Sequence, residues 1–169
     1  TTIFDFSALV TGLLLGMTLE ECVRGLRNFA PEGMRQKITS VKGMTFIEDC
    51  YNASPDSQAA AMAVLGGMNA KRRIAVVGDM LELGSYSETA HRNVGEYAAE
   101  SNVDMLFTYG KESQFMADSA KKAGLKDVFA FTDKDELTKS LLTELKSGDT
   151  VLFKASRGMK LEEIFENIY

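Results

Sequence analysis

From residue 44 to the end, short apolar runs alternate with longer amphipathic ones, and no other feature narrows the possible folds so far. Strands are expected at 73–77, 105–109, 128–131 and 150–153, and helices at 57–68, 89–101, 112–123, 134–146 and 159–168. Parallel neighbours cannot be joined by a tight turn; they need a crossover, usually a helix of about 10–15 residues. The alternation therefore predicts an α/β fold with a Rossmann-like, mostly parallel sheet and helices on both faces. The runs Ile74-Ala75-Val76-Val77 and Val151-Leu152-Phe153 are apolar without interruption, as strands covered on both sides should be.

Ahead of this pattern the periodicity changes. Runs at 37–41 and 44–48 flank Lys42-Gly43 and predict a β-hairpin. Residues 5–28 read as a helix, a turn and a second helix. Thr18 followed by Glu21 forms a capping box, and Leu19, Val23 and Leu26 make one apolar stripe. Phe29-Ala30-Pro31-Glu32-Gly33 breaks that pattern and reads as a linker, so the chain divides into 1–32 and 33–169. It starts at Thr1 without Met, which suggests a piece of a longer protein.

Charge and composition exclude several classes. A net charge of −5 argues against nucleic acid as a partner, because phosphate binding needs a basic stripe. No apolar run reaches the roughly 18 residues of a membrane-spanning helix. The stretch 9–15 is too short, and Asp5 precedes it where a secretory signal would carry Lys or Arg. Cys22 and Cys50 lie far apart and outside any C-x-x-C, so both read as reduced, packed thiols of a cytoplasmic protein. With one histidine and two distant cysteines, no metal site is expected within this chain.

Candidate site residues fall where strands end. Open α/β sheets bind ligands outside the carboxyl ends of their strands. The first such edge is Glu48-Asp49-Cys50-Tyr51-Asn52-Ala53-Ser54-Pro55-Asp56-Ser57. There Asp49, Tyr51 and Asn52 offer a carboxylate, a ring with a hydroxyl, and an amide, which suit a ribose or a flat base. No phosphate cradle accompanies them. The second edge is Gly78-Asp79-Met80-Leu81-Glu82-Leu83-Gly84, expected to present Asp79 and Glu82 to a ligand. His91, the only histidine, follows closely enough to hydrogen-bond back to the 78–87 loop. The third edge, Lys154-Ala155-Ser156-Arg157-Gly158, sets Lys154, Ser156 and Arg157 before a predicted helix and reads as an anion site. Arg35, between the helical preamble and the first strand, could reach into a cleft between domains.

Four segments together resemble the Mur ligases of peptidoglycan synthesis: Gly33-Met34-Arg35, the run from Asp49 to Ser57, Gly78 to Gly84 with His91, and Lys154-Ala155-Ser156-Arg157. Tyr-Asn-Ala-x-Pro and Gly-Asp-Met-x-Glu-Leu-Gly are the specific ones. They match the type that joins D-Ala-D-Ala to UDP-MurNAc-tripeptide better than the type adding the third stem residue, which tends to have Tyr-Ala-His-x-Pro. The resemblance implies the C-terminal domain of a three-domain ATP-dependent ligase, preceded by the tail of the central domain. The chain contains no Gly-x-x-Gly-Lys-Thr, so the phosphate loop and the magnesium site would belong to that central domain.

By the same resemblance Arg35 contacts ATP, Asp49 takes the ribose, and Tyr51 and Asn52 line the adenosine side. Asp79, Glu82, His91 and the turn with Lys154, Ser156 and Arg157 face the dipeptide and the reaction centre. The implied partners are ATP with magnesium, D-Ala-D-Ala, UDP-MurNAc-tripeptide and the enzyme's own N-terminal and central domains. The implied chemistry is amide formation through an acyl phosphate, with this domain closing over the nucleotide. Ala155 departs from the family's usual Gly, and Thr1-Thr2-Ile3-Phe4-Asp5 lacks its His-Asn pair. Two other assignments compete: a folylpolyglutamate or cyanophycin-type ligase domain, against which the Tyr-Asn-Ala-Ser-Pro string argues, and a non-catalytic binding module.

Overall fold

The computed structural model describes residues 2–28 and 37–168. Two compact units divide the chain, Thr1–Glu32 and Gly33–Tyr169. In the first, helix α1 (Thr2–Leu14) packs on helix α2 (Leu19–Asn28). The expected capping box is present: the Glu21 N–H donates to Thr18 Oγ1 at 3.2 Å, and the Thr18 N–H donates to Glu21 Oε2 at 2.8 Å. Helix α1 starts at Thr2, before the Asp5 start expected from sequence.

The second unit is built on one six-stranded sheet. Its elements run β1 (Lys37–Val41), β2 (Met44–Asp49), α3 (Pro55–Gly66), β3 (Arg72–Gly78), α4 (Ser87–Glu100), β4 (Met105–Tyr109), α5 (Ser113–Lys122), β5 (Asp127–Phe131), α6 (Lys134–Glu144) and β6 (Asp149–Lys154). The order across the sheet is β1-β2-β6-β3-β4-β5. Only β1 with β2 is antiparallel, so the hairpin and the mostly parallel sheet are both as expected.

Alternate strand residues feed two cores. Ile47, Ala75, Val77, Leu106 and Leu152 pack with Met62, Leu65, Val94 and Met116 from α3, α4 and α5 on one face. Phe46, Ile74, Val76, Phe107, Val151 and Phe153 pack with Leu137 and Leu141 of α6 and with Leu161, Ile164 and Phe165 on the other. The period of two along each strand produces this split. Both faces are covered, which explains the unbroken apolar runs.

One expected element is different. Residues 159–168 do not form an α-helix; two 3-10 segments, Arg157–Met159 and Leu161–Asn167, stand there instead. Lys160 between them is left-handed, with φ 49°. That residue ends the first segment, and the spacing of three in the 161/164 and 165/168 pairs keeps the apolar side chains on the core. Among the described residues no helix is long and apolar enough to cross a membrane.

Strand order decides where a ligand can sit. The segments after β2 and β3 return over the first face, whereas the segment after β6 returns over the second. A crevice opens at the carboxyl ends of these three adjacent strands, as at a topological switch point.

Candidate functional site

Register brings the sequence candidates together. Asp49, last in β2, lies opposite Lys154, last in β6, and Lys154 lies opposite Val77 on its other side. The Lys154 ammonium donates to Asp49 Oδ2 at 2.7 Å and to the Asn52 carbonyl at 3.1 Å. Its side chain is only 3% exposed, and that of Asp49 is 12% exposed. A buried charge persists only when paired and hydrogen-bonded, and this pair meets both conditions. Lys154, expected at the reaction centre, thus sits behind Asp49 and the 50–54 turn.

The turn after β2 points its groups in opposite directions. Cys50 faces inward, and its thiol donates to the Phe153 carbonyl at 3.5 Å. Burial pushes that thiol up to about 12, with Glu162 and Asp49 adding to the rise, so it is no nucleophile. Asn52 Oδ1 accepts the Ala53 N–H at 2.9 Å. Ser54 caps α3 by accepting the Ser57 N–H at 3.3 Å, and Ser57 Oγ accepts the Ser54 N–H at 2.9 Å. Pro55 occupies the first helical turn, where its missing N–H costs nothing. Tyr51 is 44% exposed, and the Arg157 guanidinium lies 5.7 Å from its ring centroid.

The loop after β3 is stitched down on three sides. The Asp79 carboxylate does not face outward as expected. It accepts the Ser113 N–H at 2.7 Å, the Ser113 hydroxyl at 2.6 Å and the Glu112 N–H at 3.4 Å, and so caps helix α5. Gly110 lies over it, where any side chain would run into that carboxylate. His91 is fully buried. Its Nε2 accepts the Met80 N–H at 3.0 Å, which fixes the proton on Nδ1; that N–H donates to the Ser87 carbonyl at 2.8 Å. The bond back to the 78–87 loop expected of His91 is thus present. From the third side, the Ser156 N–H donates to the Asp79 carbonyl at 3.2 Å, and Ser156 Oγ accepts the Leu81 N–H at 2.9 Å.

Ala155 has its own structural reason. A Cβ on Gly78 would come within 2.8 Å of the Ala155 methyl, so the methyl fills the space that Gly78 leaves. The departure at Ala155 is accommodated by the neighbouring strand.

These segments enclose an open cleft of about 150 Å³ lined by Tyr51, Asn52, Leu81, Glu82, Ser156, Arg157 and Gly158. Glu82 holds a left-handed backbone, φ 67°, a strained conformation for a residue with a side chain. The cleft combines an aromatic face, an amide, a hydroxyl, one carboxylate and one guanidinium. The expected helix N-terminus is absent, because only a three-residue 3-10 segment follows Ser156, and the positive charge of this turn is the Arg157 guanidinium. Leu81 and Gly158 also line the cleft, although neither stood out in the sequence; Gly158 leaves room for the Leu81 side chain. Arg35 lies outside the described residues. Among the described residues no three of His, Cys, Asp and Glu are grouped so as to hold a metal ion.

Comparison with known proteins matches most of the chain to one family. The family model for the Mur ligase, glutamate ligase domain, matches residues 34–157. A UDP-N-acetylmuramoyl-tripeptide–D-alanyl-D-alanine ligase from Bacillus subtilis (strain 168) is 39% identical over 165 residues, covering 96% of this chain and 36% of that protein. The ligase of the same name from Treponema pallidum (strain Nichols) is 35% identical, covering 89% and 33%. Among solved structures, MurF from Acinetobacter baumannii superposes with a TM-score of 0.86 at 29% identity, covering 97% of this chain and 36% of that one. MurF ligase from Thermotoga maritima, in complex with ADP, gives 0.78 at 29% identity, covering 94% and 35%. The chain thus spans about a third of the length of these relatives.

Proposed function

This chain belongs to the Mur ligase family, and from that premise we propose that it is the C-terminal domain of an ATP-dependent ligase adding D-Ala-D-Ala to UDP-MurNAc-tripeptide. The named relatives carry that activity, which favours it over a folylpolyglutamate or cyanophycin-type domain and over a non-catalytic module. The observation that carries the proposal is the cleft at the ends of β2, β6 and β3. It has the donors and acceptors for a nucleoside and a small zwitterion. Its 150 Å³ falls below the roughly 300–1,000 Å³ of complete small-molecule sites, which fits a site that another domain completes. The rest belongs to the preceding domains, with which residues 1–32 are grouped here as the tail of the central one.

Each side chain then has a task. Asp49 keeps Oδ1 for ribose hydroxyls while Oδ2 holds Lys154. Tyr51 offers its face to the base, with Asn52 beside it. Arg157 takes the carboxylate of the incoming dipeptide, and Glu82 and Ser156 orient its polar groups. Asp79 and His91 hold the loop that carries Leu81 and Glu82. Arg35 is assigned, by the resemblance alone, a contact with ATP. ATP, when bound, supplies the phosphoryl group that activates the tripeptide carboxylate; magnesium would be held by the central domain, as the family resemblance implies. The contribution of this domain is closure and positioning, worth several kcal/mol in a two-substrate reaction. The setting of such chemistry is cytoplasmic.

The test is a chimera in which the preceding two thirds of the Bacillus subtilis ligase are joined to this chain. We expect ATP- and dipeptide-dependent amide formation from the chimera and none from the chain alone. A folded chimera that hydrolyses ATP yet never forms amide with D-Ala-D-Ala would overturn the substrate assignment.

A further inference from the structure

The turn 50–54 contains a device that the roles above do not use. The Ala53 N–H donates to the Asn52 side chain at 2.9 Å. A backbone N–H can only donate, so the atom it meets is Oδ1, and the amide cannot be flipped. Nδ2, with two hydrogens, is the side-chain atom left over, on an exposed residue that lines the cleft. The backbone of the same residue is held from behind, where its carbonyl accepts from Lys154 Nζ at 3.1 Å. Lys154 also holds Asp49 at 2.7 Å, and with its side chain 3% exposed it cannot itself meet a ligand in the cleft.

We propose that Lys154 is a positioning residue whose bond to the Asn52 carbonyl fixes the turn, so that Asn52 presents two amide hydrogens to a hydrogen-bond acceptor on the ligand. The inference rests on the ligase assignment for the identity of that ligand, but its structural half does not. Acceptors of the right class are a ring nitrogen of the nucleotide base, lying against Tyr51, or a carboxylate oxygen of the dipeptide, lying against Arg157. Asn52→Asp separates contact from structure. It keeps an oxygen for the Ala53 N–H, removes both donors, and sets a negative charge where an acceptor should bind. Lys154→Met removes the ammonium at nearly the same length.

Two measurements decide the matter. In the chain alone, amide exchange at Ala53 should be unchanged in Asn52→Asp and about tenfold faster in Lys154→Met, with the melting temperature of Asn52→Asp moving by no more than about 2 °C. Should Lys154→Met fail to fold, pairing it with Asp49→Asn removes both charges and leaves the exchange readable. In the chimera, Asn52→Asp should raise one KM by about tenfold or more, that of ATP if the base is the acceptor or that of D-Ala-D-Ala if the carboxylate is. Lys154→Met should raise the same KM, and the double variant should fall short of the product of the two effects. Unchanged Ala53 exchange in Lys154→Met overturns the positioning role, whatever the ligase does. Unchanged KM values for both substrates in an active Asn52→Asp chimera overturn the contact. If the unsubstituted chimera is inactive, the ligase assignment is at fault, and ADP titrated into the labelled chain replaces the KM: loss of the Tyr51–Asn52 shifts in Asn52→Asp supports the contact, and their absence from the unsubstituted chain ends it.

Discussion

Strand β6 carries an ion pair at each end, and the two are built differently. At its amino end Asp149 meets Arg72 through two parallel bonds, Nε to Oδ1 at 2.9 Å and Nη2 to Oδ2 at 2.6 Å. The Lys146 N–H adds a third at 2.7 Å, and Arg72 also donates to the Glu144 carbonyl at 2.6 Å. At the carboxyl end Lys154 holds Asp49 through one oxygen only. The amino-end carboxylate has both oxygens committed inside the fold. The other commits one oxygen, Oδ2, to Lys154. A fork against a carboxylate suits a fixed joint, whereas an ammonium point charge leaves lone pairs for something else. Satisfaction of the lone pairs, rather than burial of the pair, distinguishes the two ends.

The largest effect should come from breaking the joint. Arg72→Ala would leave Asp149, whose side chain is 1% exposed, without its counter-charge. Losing one partner of such a pair costs about 3–5 kcal/mol. Because Arg72 is itself 25% exposed, the lower end applies, a fall in melting temperature of about 6–12 °C. Acid should erode the same joint. Burial alone would raise the Asp149 pKa, but the bonds from Arg72 and the Lys146 N–H outweigh it and hold it below the ordinary carboxylate range. A folded pKa below the unfolded one stabilises fully above the unfolded value, about 3.9, and is lost as the pH falls through the folded value. Urea unfolding of the protein and of Asp149→Asn should therefore differ by a constant amount from pH 7 to about 5, with the gap closing below about pH 4. A gap that closed near neutrality would show that another group controls the joint.

How far these two ends could be read from sequence follows from the separation of their parts. The alternation of strands and helices is local, so the sheet and its crossovers were visible in the 44–168 pattern. Helix α3 starts at Pro55, two residues before the expected 57, because Ser54 caps it and Pro55 fits its first turn. At 159–168 two 3-10 segments replace the expected helix, because a left-handed Lys160 leaves no mark in composition. In the site, His91 and Met80 are 11 residues apart, and their bond was within reach of a local argument. Asp49 and Lys154 are 105 residues apart, and only the insertion of β6 beside β2 joins them. Asp79 was expected to face a ligand because loops at strand ends often do. Ser113, 34 residues later, takes its carboxylate instead.

At the open end of β6 the effect should be on function as well as on stability. Asp49→Ala in the chimeric ligase removes an acceptor for ribose hydroxyls. Charge-assisted bonds of that kind are worth roughly 1.5–3 kcal/mol. The KM for ATP should rise by about tenfold or more; because the buried Lys154 ammonium loses its counter-charge, the melting temperature should fall as well, and the KM is what separates this end from Arg72→Ala. If instead Asp49→Ala melts as low as Arg72→Ala and leaves the ATP dependence unchanged, the carboxyl-end pair is a second joint and the contrast between the two ends disappears.

The smallest effect expected is at Arg157, which belongs to neither pair. Its guanidinium stands 5.7 Å from the Tyr51 ring centroid, a contact worth about 0.5–1 kcal/mol at an exposed site. Removing it should scarcely change stability. In the chimera, Arg157→Ala should weaken the KM for D-Ala-D-Ala, or lower kcat, severalfold more than it changes the KM for ATP, because the dipeptide brings a carboxylate for the fork to hold. Arg157→Lys should recover only part of the loss, since an ammonium keeps the charge but neither the two parallel bonds nor the flat face that lies over Tyr51. Steady-state rates with each substrate varied in turn separate the outcomes. Movement of the ATP KM alone would assign Arg157 with Tyr51 to the nucleotide side, and the dipeptide would then have to bind nearer Glu82, on the loop held by His91 and Ser156.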